Sequence, residues 1–310
     1  MTGAYAAADW REQAVLLGLP EFELLSSDTV EQTCALLSQF REDTSVFAGG
    51  TDLFTKMKHR RTIPRRLINI KGIPDLDQIR HDARDGLRIG ALTTIQAIEA
   101  SSVIGKKFPA VKQAASVLGT TQIRNVGTIG GNLGNASPSA EFAPPLLTLG
   151  ASVRCAGRGA ERLIPIEEFF ISPGKTALRQ DELLTEVQVP NPPSGAQGIY
   201  LKHSLRKMDV AIASAALLIV FDGDVCAEAR IALGAVGPVP FRAKKAEQTL
   251  NGRKLAGGPG EIELLEEVAR VAAEESFPID DFRGYAGYRR KLVAMLVGKG
   301  LERVIARTRA

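Results

Sequence analysis

Two glycine-rich segments hold the residue types with the clearest chemical potential in this 310-residue sequence. The first reads Ala-Gly-Gly-Thr-Asp-Leu at residues 48–53, and the second, from Gly127 to Glu141, mixes glycine with asparagine, serine and threonine. Such segments expose backbone N–H groups and carry no bulk, which suits close contact with a phosphate or a flat polar ring. Each segment alone is more typical of a surface loop. Together they predict a grip on a dinucleotide between two subdomains.

The composition of the second segment predicts an irregular loop. Repeated glycine weakens a helix, Pro138 interrupts one, and the segment offers few side chains to a strand. A β-branched residue at Gly130 or Gly131 is expected to block a close backbone approach and to forbid a positive φ. Valine at either position should therefore abolish ligand retention and leave the rest of the fold intact.

Other familiar chemistries lack their signatures. The first segment is not a Walker A loop, since it lacks the Gly-Lys-Ser/Thr ending, and no G-x-G-x-x-G occurs in the chain. The three histidines are scattered, and no nucleophile elbow is present. The three cysteines form no C-x-x-C pair, which argues against a disulfide framework, a zinc site or a self-contained iron–sulfur cluster. We nominate no catalytic acid or base and no metal ligand.

Composition sets broad limits on class and location. Hydrophobic residues make up 45% and charged residues 24%, which is enough for a normal core. The net charge is only +4, and the basic run Lys56–Arg66 is interpreted as a solvated face or a subunit contact. The longest apolar run, 211–221, is shorter than the about 20 residues that span a bilayer. With no secretory signal at the start, we expect a soluble cytoplasmic protein.

Strands and helices are predicted on both sides of each glycine segment. Asp28 and Glu31 form a candidate capping box for a helix, after a partly ordered lead-in of residues 1 to about 20. A strand at 46–48, a helix at 53–57 and a strand at 67–70 would form a small β–α–β unit around the first segment. A strand at 87–91, a helix capped at 93–96 and a helix at 111–118 precede the second segment. A helix at 142–149, a hairpin at 152–166 and a strand at 183–189 follow it.

Residues 191–195, Asn-Pro-Pro-Ser-Gly, are the best linker candidate. Beyond them lie an apolar hairpin at 211–236 and helices at 243–250, 262–276 and 288–305. A sheet followed by a helical cluster indicates an α+β fold.

The order and spacing of these motifs resemble a known family. Ala48–Asp52, Thr128–Asn132 and Ala136–Pro138 are similar to motifs of the FAD-binding medium subunit of the molybdenum hydroxylases. This family includes xanthine dehydrogenase, carbon monoxide dehydrogenase and 4-hydroxybenzoyl-CoA reductase. The resemblance extends over residues 19–307 and includes Gln122–Asn125 and the C-terminal Tyr288–Leu292.

The resemblance implies an α+β fold with two domains. Residues 1–193 would form an FAD-binding domain of the vanillyl-alcohol-oxidase/MurB (PCMH) type, with subdomains at about 20–75 and 76–190. Residues 195–310 would form a C-terminal domain with an antiparallel sheet and helices, like that of carbon monoxide dehydrogenase flavoproteins. The chain lacks the cysteine-rich insertion of the 4-hydroxybenzoyl-CoA reductase branch.

The family's FAD contacts carry over to matching positions here. Glu141 stands where relatives often have Asp, and Lys202 would place a positive charge near the isoalloxazine ring. The full implied set is Val46, Phe47, Ala48, Gly49, Gly50, Thr51, Asp52, Leu53, Leu118, Thr128, Ile129, Gly130, Gly131, Asn132, Glu141, Leu184 and Lys202.

The function implied by the resemblance is electron transfer within a larger complex. Electrons would come from [2Fe–2S] clusters on a small partner subunit and pass through FAD to NAD or another acceptor. The molybdenum cofactor would lie on a large partner subunit, in a heterotrimer or its dimer, with no nucleic acid and no membrane span. The alternatives are a self-sufficient FAD-dependent oxidoreductase of the same fold and a flavin-free scaffold that bridges partner subunits.

Overall fold

A computed structural model describes residues 18–255 and 257–309, so the predicted lead-in lies almost entirely outside the described residues. The helices are α1 Val30–Phe40, α2 Thr51–Lys58, α3 Ile95–Ala100, α4 Ser102–Lys107, α5 Pro109–Val117, α6 Thr121–Val126, α7 Ile129–Gly134, α8 Ala143–Leu149, α9 Ile166–Phe169, α10 Lys244–Leu250, α11 Pro259–Glu274 and α12 Ala286–Arg309. The strands are β1 Glu23–Ser26, β2 Thr44–Phe47, β3 Arg66–Asn69, β4 Ile79–Asp82, β5 Gly86–Gly90, β6 Ser152–Gly157, β7 Ala160–Pro165, β8 Phe170–Ser172, β9 Lys175–Thr176, β10 Leu183–Val189, β11 Ala196–His203, β12 Ala213–Asp222, β13 Val225–Gly234 and β14 Phe241–Arg242.

A small parallel sheet, ordered β1-β3-β2, carries the first glycine segment. Strand β2 pairs in parallel with β3, and α2 forms the crossover between them, which confirms the predicted β–α–β unit. Gly50 adopts a left-handed conformation with φ 72° between β2 and α2. Because an L side chain rarely adopts this conformation, glycine fits the sharp turn that starts the helix.

A five-stranded antiparallel sheet, ordered β4-β5-β10-β6-β7, supports the second segment. The predicted hairpin and the strand at 183–189 are confirmed as β6–β7 and β10. Helices α3 to α8 cover this sheet, and their shared core includes the fully buried Ile89, Phe142 and Leu146. Burial of such side chains is the main force that holds the glycine segment in place.

A third sheet, ordered β11-β12-β13-β14, packs against α10 and α12, and α11 packs on these two helices. The predicted apolar hairpin is confirmed as β12–β13, and its Leu217 and Ile231 are buried with Val293 of α12. Helices and antiparallel sheets thus occupy separate layers, which confirms the α+β class.

Two sequence-based expectations were wrong about helix ends and the second segment. Thr29, not Asp28, caps α1, and its hydroxyl accepts a hydrogen bond from the Gln32 N–H. Within the segment expected to be an irregular loop, residues 129–134 form helix α7, capped by Thr128. Tertiary contacts and the cap outweigh the poor helix propensity of its three glycines.

No helix within the described ranges is long and apolar enough to cross a membrane.

Candidate functional site

The two glycine segments meet in one cavity of about 370 Å³. It lies between the parallel sheet and the five-stranded sheet, and the segments next to each sheet supply one wall. Most of the residues implied by the family resemblance line it: Val46, Ala48, Gly49, Gly50, Thr51, Asp52, Leu53, Leu118, Thr128, Gly130, Gly131, Asn132 and Leu184. The structure therefore brings together two segments that are far apart in sequence.

The walls are joined by a close backbone contact at Gly49. A Cβ atom on Gly49 would lie 2.2 Å from the Val126 carbonyl oxygen. A Cβ on Gly130 would lie 2.7 Å from the carbonyl oxygen of Ala91. Real Cβ atoms do not approach backbone so closely, so these glycines let the protein pack against itself. Gly130 and Gly131 lie inside α7 and outside the positive-φ region, so the expected φ argument was wrong for both.

The start of α2 provides free N–H groups at the cavity. Gly50 precedes this eight-residue helix and gives it no side-chain cap. The first N–H groups of a helix have no partner within it, and the residues that carry them here, Thr51, Asp52 and Leu53, line the cavity. Uncapped N–H groups and the positive end of the helix dipole are well suited to a phosphate.

In the second segment, the N–H groups at the start of α7 already donate hydrogen bonds to acceptors within the protein. The N–H of Gly131 donates to the Thr128 hydroxyl at 3.0 Å, and that of Gly130 donates to the Ala91 carbonyl at 2.9 Å. The N–H of Ile129 donates to the Thr93 carbonyl at 3.1 Å. The anion-binding chemistry expected from both segments is thus concentrated in the first one.

The second segment instead offers space and one unpaired acceptor. Gly134 has nothing near the position of an added Cβ, and a Cβ on Gly131 would meet only the Thr128 hydroxyl, at 3.1 Å. The Oδ1 atom of Asn132 is buried without a hydrogen-bond partner among the described residues. A buried acceptor without a partner is costly. These features fit a ligand with phosphates for α2 and polar N–H or O–H groups for Asn132, as FAD has.

Glu141 and Lys202 lie outside the cavity lining and form a buried ion pair. The Lys202 ammonium lies 3.3 Å from Oε1 of Glu141 and also donates to the carbonyls of Val117 and Asp209, at 2.6 and 2.9 Å. Burial raises the pKa of the Glu141 carboxyl, and the charge of Lys202 opposes this rise. The negative charge of Asp52, in the first glycine segment, raises this pKa further.

Two other implied residues also have structural surroundings. The ring of Phe47 packs against that of Phe54, with centroids 5.0 Å apart, and the side chain of Ile129 is fully buried in the core.

Several cavity residues were not found from the sequence. Lys56 and Asn135 line the wall, one from α2 and one from the end of α7, as do the apolar Ile70, Leu92 and Ile123. The apolar residues carry no motif, and only the fold brings them to the cavity. For Lys56 the sequence did offer one indication, because this residue lies about one helical turn after the first segment.

Comparisons with known proteins match the whole described fold. The sequence profile of a family described as "FAD binding domain in molybdopterin dehydrogenase" matches residues 20–192. That of the "CO dehydrogenase flavoprotein C-terminal domain" matches residues 199–304.

Individual relatives span nearly the full chain. The carbon monoxide dehydrogenase medium chain of Afipia carboxidovorans is 31% identical over 93% of this chain and 98% of the relative. The xanthine dehydrogenase FAD-binding subunit of Escherichia coli O157:H7 is 30% identical over 84% and 88%, respectively. A solved chain of carbon monoxide dehydrogenase from Hydrogenophaga pseudoflava superimposes with a TM-score of 0.89 at 30% identity. That match covers 94% of this chain and 99% of the solved one.

Proposed function

Because this chain belongs to the family of FAD-binding medium subunits of molybdenum hydroxylases, we propose that it is the electron-transfer subunit of such an enzyme. It takes electrons from [2Fe–2S] clusters on a small partner subunit and delivers them to NAD or another acceptor. A large partner subunit carries the molybdenum cofactor, in a heterotrimer or its dimer. The single observation that supports this most directly is the cavity where the two glycine segments meet.

In this proposal the cavity residues hold FAD and the buried residues support them. The N–H groups at the start of α2 bind the pyrophosphate, and Asn132 accepts a hydrogen bond from the cofactor. Glu141 and Lys202 stabilise the second segment through their buried ion pair. Bound FAD supplies the redox chemistry, and the protein positions it and excludes water around it.

A self-sufficient FAD-dependent oxidoreductase is the alternative. Oxidases of this fold often need a substrate-binding third domain and a base beside the cofactor. Among the described residues that line the cavity, the ionisable ones are Asp52, Lys56 and Glu182. Glu182 is engaged by Arg162 at 2.7 and 2.8 Å, and its ion pair lowers the pKa of its carboxyl. This leaves no histidine or free carboxyl pair for substrate chemistry and favours the subunit role.

An exposed apolar patch also favours a subunit role. We define the apolar patch as residues 205–210, which follow β11, and residues 277–288, which lead into the first turn of α12. The Tyr288 hydroxyl in this turn lies 3.3 Å from Nε2 of His203 at the end of β11. Its large apolar side chains are strongly exposed, with Leu205 at 85%, Phe282 at 84% and Tyr285 at 78%. Contiguous exposed apolar and aromatic side chains mark protein interfaces. We assign the apolar patch to contact with a partner subunit.

Native co-purification tests the proposed function. We expect the chain to be recovered with two partner subunits, and the complex to contain flavin, molybdenum and iron. The measurement is quantitation of all three in a size-exclusion peak, with the subunits identified by mass spectrometry. A flavin-loaded chain without partners that oxidises simple reductants would support the self-sufficient alternative. A flavin-free complex would support the scaffold alternative.

The double variant Phe282→Ser/Tyr285→Ser tests the apolar patch. A hot-spot residue contributes about 2 kcal/mol or more to an interface, and loss of one such residue is enough to weaken association with a partner subunit at least about tenfold, as we expect here. Flavin content should match that of the wild type, because both residues lie outside the cavity. Leu163→Ser, at a 53% exposed position on β7, is the matched control. Equal weakening by the control variant would reject the assignment.

We place the complex in the cytoplasm as part of this proposal. All three cysteines, Cys34, Cys155 and Cys226, are buried free thiols, which agrees with a reducing compartment.

A further inference from the structure

Lys56 joins the two walls of the cavity. Its ammonium donates a hydrogen bond to Oδ1 of Asn135. Lys56 belongs to α2 of the first wall, whereas Asn135 directly follows α7 of the second, 79 residues away in sequence. Both side chains line the cavity, so this contact closes the gap between the walls beside the ligand space.

The charge of Lys56 is unusual for this cavity. Among the described residues of the lining, Lys56 is the only one with a positive charge, beside the acidic Asp52 and Glu182. Arg162 compensates Glu182, but no ion pair within the described ranges compensates Asp52. FAD brings two further negative charges on its pyrophosphate. Without Lys56, a dianion would therefore face a wall with uncompensated negative charge, which is unfavourable.

Lys56 lies on the same face of α2 as a residue of its first turn, where the uncapped N–H groups are. Residues four apart share one face of a helix, so Lys56 lies beside Asp52 in the first turn. An ammonium group has three N–H donors, and the contact with Asn135 uses one of them. Two donors remain for a ligand in the cavity.

We propose that Lys56 is a pyrophosphate-binding residue for FAD and that Asn135 positions its ammonium group. The Lys56 ammonium and the uncapped N–H groups at the start of α2 bind the same phosphate oxygens. Asn135 holds that charge over the cavity and ties the second wall to the first. The inference depends on FAD binding by this chain and is independent of the electron route.

Three variants separate charge from positioning, with Lys58→Met as the matched control. Lys58 is an exposed lysine on the same helix and does not line the cavity. We expect Lys56→Met to raise the Kd for FAD about tenfold, the scale of one lost charge-assisted hydrogen bond. Lys56→Arg keeps the charge and should retain most of the affinity. Asn135→Ala should weaken binding less than Lys56→Met does.

The salt dependence of FAD binding is the decisive readout. Salt screens the attraction between a partly exposed ammonium and a phosphate. The Kd of the wild type and of Asn135→Ala should therefore rise with ionic strength more steeply than that of Lys56→Met. The Kd is measured by flavin fluorescence on apoprotein, and circular dichroism verifies folding.

An unchanged salt dependence in Lys56→Met would overturn the proposal, as would equal effects of Lys56→Met and Lys58→Met. If wild-type protein failed to bind FAD at all, the assignment of the cavity would fail first, and the two failures are therefore distinguishable.

Discussion

Gly49→Val is expected to purify without FAD and to unfold more easily than the wild type. Even the first atom of the new side chain would lie 2.2 Å from the Val126 carbonyl oxygen and 2.9 Å from the Cα of Gly127. These are backbone atoms and cannot rotate away. The walls of the cavity must separate, which removes the N–H groups of α2 from the second segment. Overpacking of this kind costs about 1–3 kcal/mol or more.

Two measurements test this expectation: the ratio of flavin to protein absorbance after purification, and urea unfolding of the apoprotein. Gly131→Val is the matched variant in the second segment. Its Cβ would meet only the Thr128 hydroxyl, at 3.1 Å, so the apoprotein should keep wild-type stability within about 1 kcal/mol. Gly131 lines the cavity, so we expect the added valine side chain to occupy part of the ligand space and flavin still to be lost.

The two variants thus distinguish a glycine needed for the contact between the cavity walls, Gly49, from one needed to leave space for the ligand, Gly131. Full flavin occupancy in Gly49→Val would show that the walls need not touch. Full occupancy in Gly131→Val would remove α7 from the binding site.

The pairing of the two glycine segments could be predicted from the sequence because both segments have the same unusual composition. Residues 48–53 and 127–141 are rich in glycine and in small polar residues, and their flanking strands have clear apolar patterns. The β–α–β unit and the β12–β13 hairpin followed from those patterns, since local periodicity reports which face is buried.

The roles within the site could not be predicted in the same way. The glycine at position 49 touches Val126 in another subdomain, and no local pattern reports a contact across 77 residues. Helix α7 forms despite its glycines because Thr128 caps it and its neighbours Thr93 and Ala91 accept its N–H groups. These are tertiary effects, and they override propensity.

The position of Glu141 shows the same principle. The family resemblance implies a contact between Glu141 and FAD, which stays a prediction; in the structure the carboxyl lies 3.3 Å from the Lys202 ammonium, and neither residue lines the cavity. Lys202 belongs to β11, so the pair also connects the second segment to the third sheet.

Lys202→Met is expected to lose about 3–5 kcal/mol of unfolding free energy at pH 7. The substitution leaves Glu141 buried with an uncompensated charge, and the carbonyls of Val117 and Asp209 lose their donor. Methionine fills much of the lysine volume, so a cavity adds little to this loss. Urea unfolding of the apoprotein measures the effect, and Lys207→Met, an exposed lysine on the neighbouring loop, is the control.

The loss should depend on pH in a direction set by Glu141. Burial holds the pKa of this carboxyl in the folded state above its ordinary value of 4.5, and removal of Lys202 raises the pKa further. A carboxyl with a raised folded-state pKa contributes its stability below the unfolded-state value and loses it as the pH rises through the folded-state value. The destabilisation by Lys202→Met should therefore be smallest below pH 4.5 and grow above it.

The double variant Glu141→Gln/Lys202→Met separates charge from packing. Glutamine removes the buried charge, so the double variant should recover part of the lost free energy at pH 7 and show little of the pH dependence. Recovery remains incomplete because the two carbonyls still lack a donor. If the double variant were as unstable as Lys202→Met at every pH, the carbonyl contacts would account for the role of Lys202. The buried pair would then stabilise the third sheet through lysine hydrogen bonds, with no contribution from the charge of Glu141.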